Sequence, residues 1–206
     1  MPIFTTIFLL ILICVVATRV WLATRHIRHI HINRNTVPEN FSSQISLESH
    51  QKAADYTCTK TRLSYTNICL DTVLLLMLTF GGGLNAINAF WFNFFSNPLL
   101  NGMAFILCTV LLMGVVEVPI NYYRNFVIEK KFGFNKMTPV MFFVDLIKQG
   151  FLGILIGFPI LFVVLWLMEK AGANWWFYAW LIWVAFNIIL LSVYPTWIAP
   201  LFNKFT

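Results

Sequence analysis

The chain has 206 residues, of which 59% are hydrophobic and 11% charged, and a mean hydropathy of +0.77. Soluble domains sit near roughly 45–50% apolar and 25% charged residues, so this composition excludes a soluble globular fold and points to the lipid bilayer as solvent. The net charge of +6 belongs to cytoplasmic connections between membrane spans, and no nucleic-acid partner is expected.

The first apolar run covers residues 3–20 (IFTTIFLLILICVVATRV), long enough to cross a hydrocarbon core about 30 Å thick. It has neither a basic n-region nor a small-residue cleavage site, so it reads as a retained helix rather than a signal peptide. A polar stretch from Thr24 to about Thr66 follows, holding Arg25, Arg28, Arg34, Lys52, Lys60 and Arg62 against Glu39, Glu48 and Asp55. From Ser46 onward it is rich in helix formers, and Glu48 and Lys52 stand at i,i+4 in the order worth about 0.3–0.5 kcal/mol. The second span is therefore expected to start well before the membrane, as a long helix projecting into the cytoplasm.

That second run covers 68–86 and ends in Gly81-Gly82-Gly83. The uncharged aromatic connection AFWFNFFSNP leads to a third run at 99–120. A short charged loop from Tyr122 to Thr138 comes next, with Thr138 as N-cap and Pro139 as first residue of the following helix. Asp145 and Lys148 share a face of that helix before the fourth run at 151–168, and the fifth run covers 175–193. The pattern predicts an all-α integral membrane protein with about five transmembrane helices. The first and third connections are basic and the other two are nearly uncharged, which places the N-terminus outside and both basic loops in the cytoplasm. Trp91, Trp175 and Trp176 then fall at the outer interface, where aromatic rings are favoured.

Candidates for chemistry are few. His26, His29 and His31 have poor metal spacing and no neighbouring acid, and basic residues just past a span suit anionic headgroups better. Cys14, Cys58, Cys69 and Cys108 show no paired spacing, so neither a zinc knuckle nor a redox pair is supported. A carboxylate at the bilayer centre costs roughly 2.5–3.5 kcal/mol, which draws attention to Asp71, Glu117 and Asp145; each lies near the cytoplasmic end of its span. For Glu117, just before Pro119, a structural partner such as Arg124 is favoured over a proton relay. Gly153 and Gly157 form a GxxxG, read as a face packed against protein. No HExxH, GxSxG or Walker loop occurs, so no catalytic or metal-ligating residue is assigned. A transporter is disfavoured, since no matching halves combine an interior charge with a broken helix.

Two segments are more specific: PINYYRNFVIEKKFGFNKMT at 119–138, followed by Asp145 and Lys148, and YPTWIAPLFNKFT at 194–206. Both resemble signature loops of the transmembrane N-terminal domain of the CAAX prenyl proteases, type 1, integral-membrane HExxH zinc metalloendopeptidases. HQKAADYTCTKTRL at 50–63 resembles the corresponding loop of bacterial members. The resemblance implies a helical chamber in the membrane, seven spans in the full-length protein, and zinc in the intact enzyme. It places the catalytic HExxH and third ligand beyond the PLFNKF segment, so residues 1–206 are expected to be the membrane domain, truncated before the zinc domain and inactive alone. Glu117, Arg124, Glu129, Lys131, Gly133, Asn135, Lys136, Pro195, Pro200 and Asn203 are the matched positions, with a structural or chamber-rim role; Glu129, Lys130, Lys131, Asn135 and Lys136 are expected to brace the catalytic domain and the rim, with Gly133 supplying the tight turn. Partners are then the bilayer and, in the intact enzyme, a peptide or protein substrate, in CAAX-type processing or membrane protein quality control. A bacterial inner membrane is expected over an endoplasmic reticulum. The competing reading is a natural non-catalytic adaptor or regulator derived from the same family.

Overall fold

Helix is the only regular element that lets an isolated apolar segment satisfy its own backbone in lipid, and no strand occurs among the described residues. The computed structural model describes residues 3–195. Seven α-helices follow in order: α1 Ile3–Asn33, α2 Leu47–Thr79, α3 Gly83–Phe92, α4 Pro98–Tyr123, α5 Lys130–Phe132, α6 Pro139–Lys170 and α7 Trp175–Val193. Four helical stretches are each long and apolar enough to cross a bilayer, and there are five when α2 and α3 are taken as one broken span.

Local chemistry sets the boundaries. Ser46 caps α2, its hydroxyl accepting from the Ser49 amide at 3.2 Å, so α2 begins far ahead of its apolar run, as expected. Thr138 caps α6 in the same way, accepting from the Met141 amide at 3.2 Å, with Pro139 in the first turn. Two expectations fail. The second run is not one continuous helix to Ala86: it breaks after Thr79, where Gly82 takes φ 76°, and its last residues join the first four of the aromatic connection in helix α3. The charged segment after Tyr122 is not a loop throughout. The chain stays helical as a π-turn over Arg124–Glu129 and then as α5. Polarity in that segment reports contact with water, and nothing before Gly133 forces the backbone out of a helix.

The described residues form two compact units, 3–84 with 112–137, and 85–111 with 138–195. In the first, α1 packs along α2, and α2 packs against the π-turn; its buried apolar residues are Ala54, Cys58, Ile68, Leu78, Ile128 and Phe132. In the second, α6 packs on α7, and Met103, Phe142 and Leu167 are buried. Trp91 stacks on Phe95 with ring centroids 5.9 Å apart, and Asn101 donates to Asn88 at 3.1 Å. The span carrying the GxxxG does pack against protein, on α7, but the two glycines are not at the contact. A Cβ on Gly153 or Gly157 would meet nothing within 4 Å, because both glycines line an open groove of about 930 Å³ between α6 and α7, with Asp145, Gln149, Trp183 and Tyr194 also on its wall.

Candidate functional site

The matched segment 117–136 is built outward from the end of α4. Pro119 sits inside that helix, where it removes a backbone donor, and the ladder widens into the π-turn five residues later. Such insertions often sit at functional positions. Glu117 and Arg124 meet at a small cavity of about 180 Å³, together with Asn67, Asp71 and Asn121. The expected Glu117–Arg124 ion pair is not among those formed; Asp71 instead pairs with Arg19 at 3.8 Å. The Asn67 Oδ1 is buried without a hydrogen-bond partner, facing a site whose polar groups are only partly matched.

Beyond the π-turn the chain stops and reverses. Gly133 takes φ 81°, a left-handed conformation that costs other residues free energy. Its amide donates to the Lys130 carbonyl at 3.1 Å, and the Phe134 amide donates to the Glu129 carbonyl at 2.9 Å. Those two bonds are the Schellman pattern, which satisfies carbonyls left open at a helix end. The Asn135 side-chain oxygen then accepts from the Met137 amide at 2.7 Å.

The turn is clamped to α2 by aromatic rings. Tyr56 stands between Phe132, at 5.4 Å edge-on, and Phe134, at 4.9 Å. The Lys52 ammonium lies 5.9 Å from the Phe134 ring, and Lys60 lies 5.7 Å from the Tyr56 ring. Lys52 therefore serves this clamp rather than the Glu48 pair expected from spacing. Lys131 lies 5.7 Å from the Phe132 ring, Lys136 is exposed, and Pro195 follows α7 in the other unit. Pro200 and Asn203 lie outside the described residues.

A second anchor ties the end of α1 to α2. Arg34 presents its fork to Asp55, with both hydrogen bonds at 2.8 Å. Bonding to the guanidinium holds the Asp55 carboxyl below its ordinary 3.8; the Arg34, His31 and Lys131 charges act in the same direction, and partial desolvation opposes them. Asp55 lies on the water side of α2, ahead of the apolar run. Because its folded pKa is depressed, the pair's contribution is complete above the ordinary carboxylate range and is lost as pH falls through the lower folded value. The stability difference between the wild type and Asp55→Asn, followed by thermal unfolding, is expected to stay constant near neutrality and to close below about pH 4.

Sequence reasoning missed Arg34–Asp55 and the Tyr56 clamp. The aromatic residues flanking Gly133 in KFGF were the available signal for the clamp. Asp145 and Lys148 do share a face, 3.9 Å apart. Among the described residues no three His, Cys, Asp or Glu side chains form a group able to hold a metal ion, so a zinc ion does not fit here. His50 donates to the Asn33 carbonyl at 3.1 Å, and Asn33 donates to the His29 carbonyl at 2.9 Å.

Comparison with known proteins places this arrangement. Residues 26–204 match the family model described as "CAAX prenyl protease N-terminal, five membrane helices". The CAAX prenyl protease 1 homolog of Dictyostelium discoideum is 32% identical over 183 residues, covering 84% of this chain and 42% of that protein. The Homo sapiens homolog is 29% identical, covering 87% of this chain and 39% of that protein. The crystal structure of S. mikatae Ste24p superposes with a TM-score of 0.85 at 26% identity, covering 95% of this chain and 46% of that one. This chain thus spans less than half the length of these relatives. With the match running from the last part of α1 past α7, the chain belongs to the family of CAAX prenyl protease N-terminal domains, multi-pass membrane proteins with five membrane helices.

Proposed function

We propose that this chain is the membrane-chamber portion of a zinc-dependent endopeptidase that hydrolyses peptide bonds in its intact form and is inactive as this segment alone. The observation that carries the reading is the family match over residues 26–204, together with relatives named CAAX prenyl protease 1. Zinc does not fit the described residues, so in this reading the metal and its chemistry belong to residues that this chain does not contain. The role of these residues is to form walls and to hold the rim. Glu129, Lys131, Gly133, Asn135 and Lys136 brace the rim on the water side, through a turn that the Tyr56 clamp fixes to α2. Pro195, Pro200 and Asn203 belong to the second matched segment and are assigned a structural or rim role. The substrate class is a peptide carrying a CAAX-type C-terminus, or a membrane protein undergoing quality control. The relatives reported above are eukaryotic, and they give a bacterial inner membrane no support over an endoplasmic reticulum.

The test is the mass, zinc content and peptidase activity of the gene product purified from its native source. A product much larger than this chain, carrying about one zinc and cleaving a prenylated CAAX peptide, is the expected result. A product of this chain's own mass that holds no zinc refutes the protease reading and leaves the non-catalytic adaptor.

A further inference from the structure

The half-buried residues of α1 are Thr5, Phe8, Leu9, Leu12, Val16, Ala23, Ile27 and Ile30, with Arg34 just beyond. At 100° per residue they form one stripe, and it is the stripe that faces α2. Contacts agree: Thr24 bonds Tyr65 at 2.9 Å, and Phe8 packs on Phe80 at 5.7 Å. The opposite stripe reads Ile3, Ile7, Leu10, Cys14, Ala17, Trp21, Arg25, Arg28 and Ile32, all exposed. It is apolar up to an aromatic ring and cationic after it. From Ile3 to Trp21 the rise is about 27 Å, close to the thickness of the hydrocarbon core. Arg25 and Arg28 then stand about 6 and 10 Å past the ring, where the phosphates lie.

The arginines divide by face. Arg19 and Arg34 pair with Asp71 and Asp55 of α2. Arg25 and Arg28 have no ion-pair partner among the described residues, and α1 contains no acid at all. Arg25 is held over the Trp21 ring at 5.6 Å, an arrangement that orients its guanidinium for a forked contact with a phosphate. We propose that this outward face of α1 is a binding site for anionic phospholipid headgroups of the cytoplasmic leaflet, with Trp21 setting depth and Arg25 and Arg28 holding the headgroup. The proposal is independent of the protease reading. It commits to lipid because a protein partner would meet an apolar-to-cationic gradient matching the bilayer's own profile along the whole helix.

The test uses the complete gene product in detergent, titrated with phosphatidylserine or phosphatidylcholine and read by native mass spectrometry, with inorganic phosphate as competitor. Wild type is expected to retain phosphatidylserine preferentially. The double variant Arg25→Gln, Arg28→Gln is expected to lose roughly ten- to thirty-fold of that preference, since each basic residue near an anionic surface contributes comparably. Arg25→Lys with Arg28→Lys keeps the charge but not the fork, so it falls between the wild type and the Gln double and controls for folding. Lys60→Gln with Arg62→Gln, carrying the same net charge, leaves it unchanged. Equal loss in both Gln doubles means a net-charge effect and overturns the site. Unchanged retention in the Arg25/Arg28 double also overturns it, as does displacement of the lipid by free phosphate.

Discussion

Phe132→Ala is expected to lower stability by about 3–5 kcal/mol, the usual cost of emptying an aromatic core site, read as a large drop in the unfolding temperature of the purified protein. The size follows from where the ring sits. Phe132 is 8% exposed and meets Tyr56 edge-on, on the water side of the helices, where burying apolar surface gains the full hydrophobic contribution. Most apolar residues of this protein are in a different position. Val115 is 66% exposed on a span, and lipid replaces protein as its neighbour with little change in free energy, because hydrocarbon solvates it as well as packing does. Val115→Ala is the matched control and should leave the unfolding temperature nearly unchanged. If both variants behave alike, the aromatic clamp is not what holds the turn to α2.

The contrast explains what was legible in the chain. Spans are a property of composition, because about twenty consecutive apolar residues suffice to define one; the runs at 3–20 and 175–193 each fall within a helix, α1 and α7. Caps are local as well, and Thr138-Pro139 marks the start of α6. The misreadings arise where a partner distant in sequence decides. Spacing favoured Lys52 with Glu48, a pair worth about 0.3–0.5 kcal/mol. A cation over an aromatic ring offers roughly 0.5–1 kcal/mol at an exposed site, and Lys52 lies over Phe134, a neighbour that no local window contains. The Gly153/Gly157 motif marked a span that does pack, on α7, but not the contact face, because small residues permit a close approach without supplying a helix to make it. At the candidate site, Gly133 and Asn135 were reached through family resemblance alone. Arg34 and Asp55, 21 residues apart, carry no joint signal in the sequence.

Gly133 offers the cleaner test of the turn itself. A methyl group there has room, since its nearest neighbour would be the Lys52 Nζ at 3.9 Å. Any cost of Gly133→Ala is therefore conformational, from forcing an L-residue to φ 81°, and is expected to be about 1–2 kcal/mol. Gly133→Val should cost more, because a β-branched residue at positive φ is a true outlier. Gly133→Asn should recover part of the loss, since asparagine visits the left-handed region more readily. The order Gly, Asn, Ala, Val in unfolding temperature is the signature of backbone strain; an order following side-chain volume would mean crowding against Lys52. The turn also holds the Phe134 and Asn135 amides on the Glu129 carbonyl and delivers Phe134 to Tyr56. A strained variant that keeps its fold by opening this turn must release Phe134, so Gly133→Val combined with Phe134→Ala should destabilise by less than the sum of the two single changes. Strict additivity would separate the turn from the clamp and remove the rim-bracing role assigned to this segment.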